Sequence, residues 1–106
     1  MIASIMLTAA QARSKAQNDL VIFNEVRNIE LAILTASAAG LYDLSLSTTA
    51  MTTSAIYCNV WKGVTADRAK EIQMASIIKY FTDLGYSIER RTNSTTGTTF
   101  DWVVYW

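Results

Sequence analysis

The chain has no histidine, no proline and a single cysteine among its 106 residues, and each shortage excludes something. Without histidine the commonest general base is missing, and with Cys58 alone there is neither a cysteine- or histidine-rich zinc site nor an internal disulfide. Cys58 therefore reads as a small buried hydrophobe with no imidazole to activate it. Nine Lys+Arg offset nine Asp+Glu, so the positive field behind most binding to nucleic acids and anionic membranes is absent. No apolar run is long enough to span a bilayer. The opening Met1-Ile2-Ala3-Ser4-Ile5-Met6-Leu7 lacks the basic lead of a secretory signal, which predicts a soluble protein made in a cytoplasm. Asn93-Ser94-Thr95 then reads as turn sequence and not as a glycosylation site.

What is present is apolar: 51% hydrophobic against 17% charged residues, the balance of one small folded domain over residues 1–106. Thr8 and Gln11 have capping-box spacing with Leu7 in the staple position, which starts a helix at Ala9, and Gly40 is its natural stop. Ala12, Ala16, Leu20 and Phe23 run into Ile22, Val26, Ile29, Ile33 and Ala36 at spacings of three and four, with Asn18, Glu25 and Asn28 on the far side. Tyr42, Leu44 and Leu46 alternate with Asp43, Ser45 and Ser47, predicting a strand over 41–47.

The Thr/Ser-rich stretch 47–54 reads as a loop. Ser54 can cap a short helix presenting Ile56, Tyr57, Val60 and Trp61 before Gly63, although the same residues have the propensity of an edge strand. Thr65 caps the next predicted helix, which closes at Gly85 and buries Ala66, Met74, Ile77, Ile78, Phe81 and Leu84. Arg68, Lys79 and Asp83 lie opposite, with Ile72 isolated among them. Tyr86 to Asn93 and Thr98 to Trp106 form a hairpin with Gly97 in the left-handed position, setting Arg91 opposite Asp101 and Arg90 opposite Trp102.

The expected fold class is α+β: a long N-terminal helix, a strand, a short helix, a helix and a C-terminal β-hairpin. This is also the element order of a winged helix. Its core is expected to contain Tyr42, Leu44, Leu46, Ile77, Phe81, Leu84, Ile88, Trp102 and Val104.

Little in the sequence carries chemistry. No carboxylates stand in a D-x-D or E-x-x-E pairing, no glycine loop has the Gly-Lys-Ser/Thr of a phosphate cradle, and neither cofactor, metal nor catalysis is expected. Asp67, Arg68 and Glu71 read as a solvated face with a weak ion pair, and Asp101 is placed to pair with Arg90 or Arg91 across the hairpin. A nucleic-acid contact, the less favoured alternative, would fall to Arg68, Lys70, Arg90 and Arg91. The apolar residues of the long helix exceed what one sheet and one helix can cover. This predicts a homo-oligomer joined through Ile22, Ile29, Ile33 and Ile72, with Leu20, Leu31 and Leu34 on a further side. The alternative is a helix that breaks near Asn18 or Asn24 and folds back on itself.

The second half carries Met51-Thr52, Tyr57, Val60-Trp61-Lys62-Gly63, Asp67-Arg68, Gln73-Met74, Tyr80-Phe81, Leu84-Gly85-Tyr86, Ile88, Thr99-Phe100 and Trp102. In this spacing of aromatics and glycines, roughly residues 30–106 resemble a group of small proteins of marine tailed bacteriophages, especially those infecting cyanobacteria. The resemblance implies a phage structural or accessory protein, in the virion or the host cytoplasm, with other phage structural proteins as partners. It brings no active site with it.

Overall fold

The computed structural model describes residues 9–106, and within the first helix it describes only the backbone of residues 10–16. The expected cap at Thr8 and its companion side chains at Leu7, Gln11, Ala12 and Ala16 lie outside the described residues. Helix α1 (Ala9–Ala38) is followed by strand β1 (Asp43–Leu46), helices α2 (Ala55–Trp61) and α3 (Arg68–Asp83), and strands β2 (Ser87–Thr92) and β3 (Phe100–Tyr105). The α+β class and its element order stand as read.

Helix α1 runs unbroken for 30 residues, so it does not fold back at Asn18 or Asn24. At about 1.5 Å per residue it is about 45 Å long, which accounts for the 50 Å long axis of a molecule only 32 and 17 Å across. It stops where Gly40 takes φ +80°, a conformation that costs a side-chain-bearing residue about 1–2 kcal/mol, and Leu41 N–H reaches back to the Ala36 carbonyl at 3.0 Å. Helices α2 and α3 close with the same bond, Val64 to Asn59 and Tyr86 to Phe81.

The sheet is antiparallel in the order β1-β3-β2. The register pairs Ile88 with Val104, Arg90 with Trp102 and Arg91 with Asp101, as the hairpin sequence predicts. On β1, Leu44 faces Val104 and Leu46 faces Trp102. The face carrying these residues meets the helices, and Ile29, Met51, Met74, Ile77, Phe81, Phe100, Trp102 and Val104 are sealed between the layers. Ile77, Phe81, Trp102 and Val104 are thus core residues as expected, with Leu44, Leu46 and Ile88 half-buried against them.

Two expected core residues are outside it. Tyr42 is 76% exposed because β1 runs over Asp43–Leu46, beginning two residues later than expected, and Tyr42 contributes its carbonyl, which accepts from Trp106 N–H. Leu84 is 58% exposed because it is the C-cap of α3, where the chain leaves the buried stripe.

Residues 55–61 form the expected short helix and not the alternative edge strand, with Cys58 and Val60 buried and Ile56 exposed. Two expectations at the helix starts change. Ser54 occupies its N-cap but makes no capping bond through its side chain. Helix α3 starts at Arg68, not after Thr65, because the Asp67 carboxylate reaches the Lys70 N–H at 3.1 Å and satisfies one of the unpaired donors of the first turn. Ala66 consequently stays exposed, outside the helix.

Candidate functional site

Helix α1 has two apolar sides. The inner one carries Val26, Ile29, Ile33 and Ala36, all buried, with Val21 and Ile22 half-buried beside them. Glu25 belongs to this side too, against the expectation that it faces solvent: it is 2% exposed. Its Oε2 accepts from Trp102 Nε1 at 2.7 Å and from Thr49 Oγ1 at 2.5 Å. Thr49 and Thr52 are themselves buried and hydrogen-bonded to each other, so the Thr/Ser-rich stretch is a loop, as read, but one drawn into the core beneath α1. This polar clamp ties α1, the 49–53 turn and the central strand together and fixes which side of α1 points outward.

The outward side carries Leu20, Phe23, Leu31 and Leu34, with Phe23 60% and Leu34 64% exposed. Beside this stripe, two hollows follow the seam between α1 and α3. One of about 290 Å³ lies among Asp19, Ile22, Phe23, Val26, Glu30 and Tyr80, largely apolar with the two carboxylates at its border, and one of about 140 Å³ among Glu30, Ile33, Leu34, Phe81 and Leu84. Tyr80 and Leu84 are exposed on the α3 side of the seam. Ridge and groove therefore run side by side along one surface.

The contact residues expected on α1 change accordingly. Ile29 and Ile33 are enclosed in the chain's own core and Ile22 packs against it, because their spacing with Val26 and Ala36 places all of them on the stripe that meets α3 and the sheet. Ile29 is closed to a partner, while Ile22 and Ile33 reach the surface only as walls of the two hollows. Ile72 is exposed on α3 as expected. Phe23 was missed as an outer residue; its spacing of three and eight from Leu20 and Leu31, and of eleven from Leu34, puts it on their side of a 3.6-residue helix.

The four candidate cations do not form one patch. Arg90 and Arg91 are successive residues of β2 and so point to opposite faces of the sheet. Arg91 pairs with Glu89 and not with Asp101, whose carboxylate instead accepts from Asn93 Nδ2 at 2.9 Å in the hairpin loop. Lys70 pairs with Asp67 at 2.9 Å and also lies over the Tyr57 ring. That pairing lowers the Asp67 pKa from its ordinary value and raises that of Lys70. Glu71 does not form the expected ion pair with Arg68. Arg90 stacks over Trp61, its Cζ 5.5 Å from the ring centre, and burial lowers its pKa. Of these four cations, Arg68 is the one that is exposed with no ion pair among the described residues.

Among the described residues no three acidic or cysteine side chains gather as metal ligands, and no helix is long and apolar enough to cross a membrane. Comparison with models of protein families, with curated proteins and with solved structures finds no match.

Proposed function

We propose that the chain is a non-catalytic structural or assembly subunit that works by protein–protein contact, first with a second copy of itself through the outer side of α1, and that its setting is a tailed phage. The phage setting is supported by the resemblance of residues 30–106 alone. The mode of action is supported by one observation: an exposed apolar ridge, Leu20, Phe23, Leu31 and Leu34, lies directly beside an apolar groove on the same surface. A ridge adjoining its own complement is what a twofold contact needs, since each copy can offer the ridge and receive it.

The charges on this surface suit a second copy. Arg27 and Glu30 lie beside the ridge, one turn apart, and neither is ion-paired among the described residues. Two α1 helices crossing antiparallel with Phe23 of one against Leu34 of the other bring each Arg27 beside the opposite Glu30. Light scattering at micromolar concentration tests this reading. The wild type is expected to be a dimer or larger, and a Phe23→Lys, Leu34→Lys variant a folded monomer, since both residues lie outside the core. A monodisperse wild-type monomer overturns the self-association, and absence of the chain from purified particles by mass spectrometry overturns a structural role in the virion.

A second reading is a nucleic-acid-binding protein of winged-helix type. What favours it is the element order together with the β1-β3-β2 sheet. Against it stand the balanced charges of α3 and a hairpin tip of Ser94-Thr95-Thr96-Gly97-Thr98 with no cation. Salt-dependent binding to duplex DNA would select this reading over the first.

A further inference from the structure

Arg90 stands on the core-facing side of β2, directly opposite Trp102, in a row of otherwise apolar residues on that face. Its side chain leaves the sheet at the end of the helical layer and lines a cleft of about 180 Å³ with Val60 and Trp61 of α2 and Glu71, Met74 and Ala75 of α3. The Trp61 ring holds the guanidinium by cation–π stacking. Among the described residues its side chain has one hydrogen-bond acceptor, the Met74 sulfur, 3.6 Å from Nη1. A thioether is a weak acceptor, and a guanidinium has five N–H donors in a rigid planar fork. No described carboxylate pairs with Arg90, although Glu71 borders the same cleft. The arginine is thus half-buried and oriented, and among the described residues no carboxylate or carbonyl answers its remaining donors, which open into the cleft.

We propose that this cleft is a binding site for a carboxylate carried on a short apolar stem, with Arg90 as its receptor. A carboxylate is planar and matches the guanidinium fork with two parallel hydrogen bonds. Trp61 and Ala75, the accessible apolar residues of the cleft, give the stem apolar contact over a floor formed by the buried Val60 and Met74. The volume is below that of sites for drug-sized ligands and suits a group of a few heavy atoms. Glu71 selects among anions: it tolerates a single negative charge held at Arg90 and opposes the second charge of a phosphate dianion. The same chemistry is offered by a small free acid and by the C-terminal residue of a polypeptide.

The test is titration of the full chain, followed by the Trp61 indole N–H resonance, with propionate for the free acid and N-acetylleucine for the chain terminus. Propionamide and inorganic phosphate are the controls. Saturable shifts with dissociation constants on the order of millimolar are expected for the carboxylates, and the tighter of the two identifies the source. Arg90→Gln is expected to weaken binding at least about tenfold, and Glu71→Gln to tighten it about two- to fivefold at low salt. Absence of a saturable shift with either carboxylate, equal binding of propionamide or phosphate, or unchanged affinity in Arg90→Gln overturns the proposal. Should Arg90→Gln not fold, the exposed Glu71→Gln decides, and unchanged affinity there overturns it equally.

Discussion

Trp102 donates its indole N–H to the Glu25 carboxyl oxygen at 2.7 Å, joining the middle of the first helix to the central strand across 77 residues of sequence. The same oxygen accepts from Thr49, so one buried side chain answers two buried donors from different parts of the chain. Removing it leaves the indole N–H unanswered, whereas the Thr49 hydroxyl keeps Thr52 Oγ1 within reach at 2.8 Å. Glu25→Ala should therefore destabilise the fold by about 3 kcal/mol, from an unsatisfied buried donor and a cavity. Trp102→Phe removes one partner only, and a double-mutant cycle between the two sites should show a coupling of about 1–3 kcal/mol. Chemical denaturation measures both; additive effects would mean that the clamp contributes nothing as a pair.

The Asp67–Lys70 pair at the start of α3 predicts a pH profile with two ends. The Asp67 pKa is lowered from 3.8, so its contribution is full above that value and is lost as pH falls through the lower folded-state value. The Lys70 pKa is raised from 10.5, so its contribution is full below that value and is lost as pH rises through the higher one. Asp67→Asn keeps a good capping residue and removes the charge. The melting-temperature difference between wild type and this variant should be level across the neutral range and shrink at both extremes. A difference that does not change with pH would place the effect in the cap and not in the pair.

Gly97 has φ +67° at the hairpin tip, and a Cβ placed there meets nothing within 4 Å. The penalty for a side chain is therefore one of backbone conformation. Gly97→Val should cost about 1–2 kcal/mol. Thr96→Val should cost less, about 0.5–1 kcal/mol, for the hydroxyl that accepts from the Thr98 and Thr99 N–H groups. Thermal melts that reverse this order would show that the loop relaxes around the valine.

If two copies meet through α1 as proposed, Arg27→Glu and Glu30→Arg should each weaken the dimer about two- to fivefold at low salt, and the double exchange should restore it. Sedimentation velocity reads the three constants. Weakening without restoration would leave the contact on α1 but reject the antiparallel register.

How much of this was legible depended on how far each feature reaches along the chain. Helix ends at Gly40, Gly63 and Gly85 and the Arg91–Asp101 register were legible because each is set by a few adjacent residues. A left-handed residue stops a helix or turns a hairpin locally, and the two-residue period of a strand then carries the register outward. The apolar period of α1 likewise told that a helix runs from Ala9 towards Gly40.

It could not tell which of two apolar sides of α1 would be covered, because isoleucine and leucine stripes of similar hydrophobicity differ only in what they meet. The meeting is decided by the arrival of α3 and the sheet over Val26, Ile29 and Ile33. Glu25 was assigned to solvent for the same reason. A carboxylate belongs there unless donors are waiting inside, and its donors, Trp102 and Thr49, lie 77 and 24 residues away. Residues 55–61 have the propensity for strand or helix, and burial of Cys58 and Val60 against the rest of the core decided for helix. Local stereochemistry, which acts between neighbours in the chain, determined the elements and their ends. Burial, which acts between neighbours in space, decided their faces, the buried carboxyl clamp and the place of Arg90 over Trp61.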